Sequence, residues 1–275
     1  MKRLLYTLAG MAMLLLASEA GASELTFVPR AVAPRAAQPP PPPSSSYPLQ
    51  LVLDDNSDEG AFGFTSGQSA QQFMWFNRFS VPVGGYELQQ IWVLFPSGPA
   101  ITVGAPVELA VYIDSDTDPS NGAGLVASFN ATVHAADDVN FSIYTLPQPV
   151  LLAYPATVLV GVIPRFIVTG STPPTNPAAV DTTSSQGRSW IAVWSGDPPD
   201  PPTLPPDVLI ARLDDGLQPG GGNWMIRAFG APLATTAVPA LDAPLLAMLA
   251  LLLVLFAVVR QNRRQVVNAV RKPIE

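Results

Sequence analysis

The sequence predicts an all-β fold, an antiparallel β-sandwich of jelly-roll kind, and three observations predict it. Between Leu49 and Ala231 the chain runs as short segments rich in Val, Ile, Phe, Tyr and Trp, punctuated by Gly, Pro, Asp and Asn; that is the signature of strands and turns. No long stretch carries a helical period, which argues against parallel strands joined by helical crossovers. The chain has no cysteine, yet this stretch is long enough to bury one sizeable core without disulfides.

Each segment has its own justification, in chain order. Lys2 and Arg3 precede an apolar run from Leu4 to Ala17, and Ala20-Gly21-Ala22 has the small-x-small form of a signal peptidase site. Residues 1–22 are therefore expected to be a signal peptide cleaved after Ala22. Residues 23–48 follow as a spacer: Val28 to Pro48 contains eight prolines, including Pro39 to Pro43, and such a segment favours extended polyproline geometry. The ectodomain spans 49–231 and is expected to fold alone. Its candidate strands are Leu49 to Leu53, Gln72 to Val81, Tyr86 to Phe95, Val107 to Ile113 and Leu125 to Val133. Val139 to Leu146, Thr157 to Ile163, Ser189 to Trp194, Val208 to Arg212 and Trp224 to Phe229 complete the set. Val168 to Arg188 and Ser195 to Pro206 are too polar or proline-rich for core strands and are expected to be long loops. After a linker (232–243), the run from Ala243 to Val259 has no charge and no polar face, so a transmembrane helix is expected over 244–259. Arg260, Arg263, Arg264, Arg271 and Lys272 follow. By the positive-inside rule they place the tail, 260–275, in the cytoplasm and the ectodomain outside.

The order Val238-Pro239-Ala240-Leu241, apolar helix, arginine cluster resembles the bacterial C-terminal protein-sorting tails of the IPTL-CTERM type, relatives of the PEP-CTERM tails. In that family the motif reads Ile-Pro-Thr-Leu-Ser before a Trp-Gly pair. Here Pro239 and Leu241 are kept, Val238 and Ala240 stand for Ile and Thr, Asp242 replaces the Ser, and no Trp-Gly follows. The resemblance covers residues 238–264. It implies a sorting enzyme of exosortase-like type as a partner, with the membrane as the other.

Charge narrows the function classes. Residues 49–231 carry five Arg against seventeen Asp and Glu, a net of −12 that the whole-chain value of −7 conceals. Such a surface repels nucleic acid and favours cations, so no nucleic-acid partner is expected. Catalytic signatures are absent. There is one histidine, His134, no Gly-x-Ser-x-Gly elbow and no His-Glu-x-x-His. The pairs Asp54-Asp55, Asp137-Asp138 and Asp214-Asp215 are adjacent in sequence, and neighbours on a strand point to opposite faces, so each reads as a turn. A non-catalytic domain is expected.

Two constellations remain. In Asp114-Ser115-Asp116-Thr117-Asp118-Pro119-Ser120-Asn121-Gly122, alternating carboxylates can converge on a hard cation, and calcium is expected with Asp114, Asp116, Asp118 and Asn121 as ligands. The same residue types also build ordinary hairpin connections. In Ser189 to Trp194, strand alternation sets Trp190 and Trp194 on one face, roughly 13 Å apart. That face is either a sugar-stacking platform or core, since large aromatics usually bury. The sequence thus describes an exported, envelope-anchored surface protein with an adhesion or structural ectodomain. A carbohydrate-binding module using Trp190 and Trp194 to hold a glycan is the alternative.

Overall fold

The computed structural model describes residues 25–29, 35–40, 47–64, 73–98, 101–153, 157–166, 175–215, 221–233, 248, 251–256 and 260. The predicted signal peptide, the prolines at 41–43, the sorting motif at 238–241 and residues 261–275 lie outside them. The chain divides into two compact units, Met1–Leu233 and Ala234–Glu275. In the second, residues 251–256 are helical. Among the described residues no helix is long and apolar enough to cross a membrane.

Among the described residues the first unit is all-β and every strand pairing is antiparallel, as expected. Its first eight strands are β1 (Leu25–Pro29), β2 (Arg35–Ala36), β3 (Leu49–Leu51), β4 (Ser57–Asp58), β5 (Gly60–Phe64), β6 (Phe73–Ser80), β7 (Tyr86–Leu94) and β8 (Pro106–Asp114). The rest are β9 (Gly124–Thr132), β10 (Phe141–Leu152), β11 (Thr157–Pro164), β12 (Thr175–Asp181), β13 (Ser189–Val193), β14 (Leu209–Arg212), β15 (Asn223–Trp224) and β16 (Ile226–Pro232). A six-stranded sheet has the order β14-β13-β6-β11-β8-β9 and a four-stranded sheet the order β10-β7-β16-β3. A second four-stranded sheet, β1-β5-β12-β15, and the pair β2-β4 complete the set.

Alternation decides what each face does. Phe73, Trp75 and Phe79 of β6, Val107, Leu109 and Val111 of β8, and Val158, Val160 and Val162 of β11 share one core with Leu88, Ile91 and Val93 of β7 and Ile226 and Ala228 of β16. This is a sandwich-like core, with the six-stranded sheet and the β10-β7-β16-β3 sheet contributing alternate residues to it. Asn77 has the inward parity of its strand and is fully buried. Its amide nitrogen donates to Trp224 O at 2.8 Å and Ile226 O at 2.9 Å, while its oxygen accepts Ser189 Oγ at 2.7 Å. An amide here tacks one sheet to the other. Asn77→Leu leaves both carbonyls without that donor, so a loss of about 2–3 kcal/mol is expected, read as a lower denaturant midpoint at unchanged slope.

The opposite faces of the sheets are covered too, and this was hidden from a strand-by-strand reading. Outward residues Met74, Phe76, Ala110, Tyr112, Leu159, Ile163, Trp190 and Ala192 form a second cluster with Trp194. Gly161 makes room for it, since a Cβ there would stand 2.7 Å from Met74 Sδ and 3.0 Å from Phe76 Cβ. The proline-rich segment after β13 roofs this cluster, with Leu204 packed against it. Tyr112 Oη donates to Pro202 O at 3.0 Å, and Arg165 donates to Pro198 O and Pro199 O at 3.0 and 3.2 Å. Arg165 Nε also donates to the buried Glu108 at 2.9 Å, tying the roof to β8.

The outer side of the β10-β7-β16-β3 sheet carries a third cluster, Trp92, Leu94, Phe141 and Phe229 with Ala37 from the N-terminal segment. Residues 25–29 and 35–38, ahead of Leu49, therefore belong to the folded unit. β1 pairs with β5 over five residues, β2 pairs with β4, and Ala37 N and Gln38 N donate to Asn56 O and Val139 O. A spacer boundary at residue 48 is corrected by these pairings. Its short stretches between prolines still offer backbone donors, and those donors find sheet edges.

Candidate functional site

Asp114 ends β8, and the turn after it uses the alternation seen in sequence. Asp114 Oδ1 accepts the Asp116 N–H at 3.1 Å, Asp116 Oδ1 that of Asp118 at 3.0 Å, and Asp118 Oδ1 that of Ser120 at 3.0 Å. Each carboxylate stands in for a backbone carbonyl two residues on, which is why Asp favours such turns. Asp118 also caps a short 3-10 turn over Pro119–Asn121, and Asn121 Nδ2 donates to Asp116 Oδ2. Arg78 reaches in from β6 and donates to Thr117 O. The structure thus gathers all four predicted residues into one turn, where donors engage one oxygen each of Asp114 and Asp118 and both oxygens of Asp116, but among the described residues only Asp55, Glu59 and Asp181 bring three such groups within 4.8 Å of one another.

Electrostatics separates the carboxyls. Burial pushes Asp114 above the usual carboxylate range, and the adjacent Asp116 carboxyl adds to it, whereas hydrogen bonds from Asn121 and Asp118 hold Asp116 below. The raised group binds a proton more tightly folded than unfolded. Its contribution to stability therefore falls as pH rises from the unfolded value through the folded one, and Asp116 contributes in the opposite sense.

A second acidic group was not legible in sequence. Asp55, Glu59 and Asp181 place carboxylate oxygens within 4.8 Å of one another. Asp181 is fully buried and accepts Asp55 N at 3.0 Å, Thr183 N and Oγ1 at 2.9 Å, and Asn223 Nδ2 at 3.3 Å. Glu59 Oε2 accepts Thr182 N at 2.7 Å. The hydroxyls of Ser57 and Thr183 hold Asp55 below the usual carboxylate range. These bonds knot the β4–β5 region to the end of β12. No local signal in the sequence joins residues 126 positions apart, and 181 fell in a segment expected to be loop.

Trp190 and Trp194 are only 8% and 6% exposed and lie under the proline-rich roof, Trp190 stacked on Phe76 with centroids 6.4 Å apart. The outward sugar platform is corrected accordingly. The face opposite the sandwich core is itself a core. His134 is exposed, with Nδ1 3.1 Å from Ile143 O and its ring 4.8 Å from that of Tyr144. Of the adjacent aspartates, Asp137 and Asp215 act locally, the first accepting Val139 N and Asn140 N and the second pairing with Arg212. The reading of each pair as a turn is corrected at Asp138, which accepts Ser97 Oγ, at Asp214, which accepts Ser185 Oγ, and at Asp54, which meets Arg227. No family model matches the chain, and no curated protein matches it.

Proposed function

We propose that the chain is an exported, envelope-anchored bacterial surface protein whose β-sandwich ectodomain is a non-catalytic adhesion or structural module. The observation that carries this reading is the position of the fold between the two export segments. The described strands begin at Leu25, just past the predicted cleavage site after Ala22, and end at Pro232, just before the motif at Val238 to Leu241. Strand order supports a jelly roll: β3-β16-β7-β10 opposes β6-β11-β8-β9, and the chain changes sheet at β3–β6, β6–β7, β7–β8, β9–β10 and β10–β11. Strands β13 and β14 extend one sheet beside β6. Covered faces favour a durable scaffold over an open sugar groove, and the apolar run at 244–259 is the anchor of the proposal.

The test is direct. The mature N-terminus is expected at Ser23, with the protein in the envelope fraction, and deletion of residues 234–275 is expected to release it. Recovery of a soluble cytosolic form that keeps Met1 would overturn the export reading. Pro239→Ala is expected to accumulate an unprocessed form if a sorting enzyme acts on the tail. Unchanged surface attachment by cells lacking the whole chain would reject adhesion and leave the structural role.

A further inference from the structure

The turn after β8 leaves one oxygen unanswered. Asp114 is 2% exposed, its Oδ1 is directed into the turn by the Asp116 N–H, and its enclosed Oδ2 has no hydrogen-bond partner. A buried carboxylate oxygen without a donor keeps the cost of its lost hydration. The fold can answer a buried carboxylate fully, as at Asp181, which collects donors from Asp55, Thr183, Ser184 and Asn223, although Glu59 Oε1 and Asp214 Oδ2 share the condition of Asp114 Oδ2. In the same turn stands a second carboxyl, that of Asp116, whose own N–H is the one Asp114 Oδ1 accepts.

The charged groups facing the turn are Arg78, Asp116 and Asp118, with Arg212 of β14 near enough to act on Asp118. Arg78 lies close enough to feel Asp114 and Asp118, but it donates to Thr117 O. Asp118 is committed to the Ser120 N–H and hydroxyl. Asn121 fixes Asp116 from outside. Two carboxyls held together, one of them buried, need something positive between them. A shared proton serves at low pH. At neutral pH a hard cation serves better, because it takes oxygens alone and fills its remaining positions with water.

We propose that a divalent cation, calcium in preference to magnesium, sits between the Asp114 and Asp116 carboxylates with the buried Asp114 Oδ2 as its innermost ligand. Asp118 and Asn121 shape the turn and orient Asp116. Calcium is favoured because a flexible surface turn with two carboxylates suits its irregular coordination, whereas magnesium demands stricter octahedral geometry. The site does not depend on the surface role proposed above.

The experiment is thermal melting of the full chain in detergent, in chelator, in millimolar magnesium and in millimolar calcium. Calcium is expected to raise the midpoint by about 5 °C over chelator, with magnesium doing less. Asp114→Asn is expected to abolish the response, and Asp116→Asn, at an exposed position where folding is not at stake, to weaken it strongly. Asp55→Asn is expected to keep it. Equal midpoints in chelator and calcium overturn the proposal, as does a calcium shift that survives in both Asp114→Asn and Asp116→Asn. A shift lost only in Asp55→Asn overturns it too, placing the cation at Asp55, Glu59 and Asp181.

Discussion

Replacing Arg227 by methionine is expected to cost about 3–5 kcal/mol, the penalty for leaving a buried charge without its partner. Arg227 and Asp54 are both closed to solvent at their side chains. Arg227 Nε lies 3.2 and 3.0 Å from the two Asp54 oxygens, and Nη2 bridges Asp54 and Asn56 Oδ1. Nη1 donates to Gln38 O at 2.6 Å, and the guanidinium carbon stands 4.2 Å from the centre of the Phe141 ring. Five donors in a planar fork serve this set, and lysine cannot replace them. Arg227→Lys is accordingly expected to lose most of what Arg227→Met loses. Asp54→Leu alone strands the cation. The double replacement, Asp54→Leu with Arg227→Met, is expected to recover a large part of the loss, since an apolar pair of similar volume often matches a buried ion pair. Chemical denaturation of the four proteins closes the cycle, and additive single losses would show that the pair is not coupled.

A protein beginning at Leu49 is expected to be less stable than one beginning at Ser23 by at least about 4 kcal/mol. The shorter chain loses the Gln38 carbonyl from Arg227, two backbone hydrogen bonds at Ala37 and Gln38, the cover that Ala37 gives Trp92 and Phe229, and the β1–β5 and β2–β4 pairings. The charge-assisted bond and the unsatisfied carbonyls of Asn56 and Val139 dominate the estimate. Melting temperatures of the two proteins, with matched ends at Leu233, decide it. Equal melting would return the N-terminal stretch to the role of a spacer.

Much of the sandwich was legible because its strands have strong period-two patterns. All ten predicted strands exist, and β6, apolar at both parities, is central as its composition implies. What the sequence hid has physical causes. β5 reads Gly-Ala-Phe-Gly-Phe, with too little side chain to announce a strand. β12 contains Pro177 and β10 contains Pro147 and Pro149, and in each strand these prolines fall at a register shift, where a ladder donor is not required. The roof over Trp190 was hidden for another reason. Proline-rich polar sequence looks like solvent-exposed loop until Tyr112, on β8, and Arg165, just past the end of β11, are seen to hold its carbonyls. At the site the Asp turn was visible from spacing alone. The burial of Asp114 was not, since it arises in a sheet where β8 lies against β11, with Thr157 as the register partner of Asp114.

The place of β16 between β7 and β3 has a consequence for timing. A chain that emerges from its N-terminus delivers β3 and β7 early, but the strand that must lie between them arrives only when residue 232 has emerged. Until then β3 has no neighbour in its sheet and β7 is paired on one side. Arg227, carried by the same late strand, is likewise the last component of its ion pair to appear. Long-range pairing of this kind closes slowly, so a chain wired this way stays loose until its last strand has emerged, and locks only then.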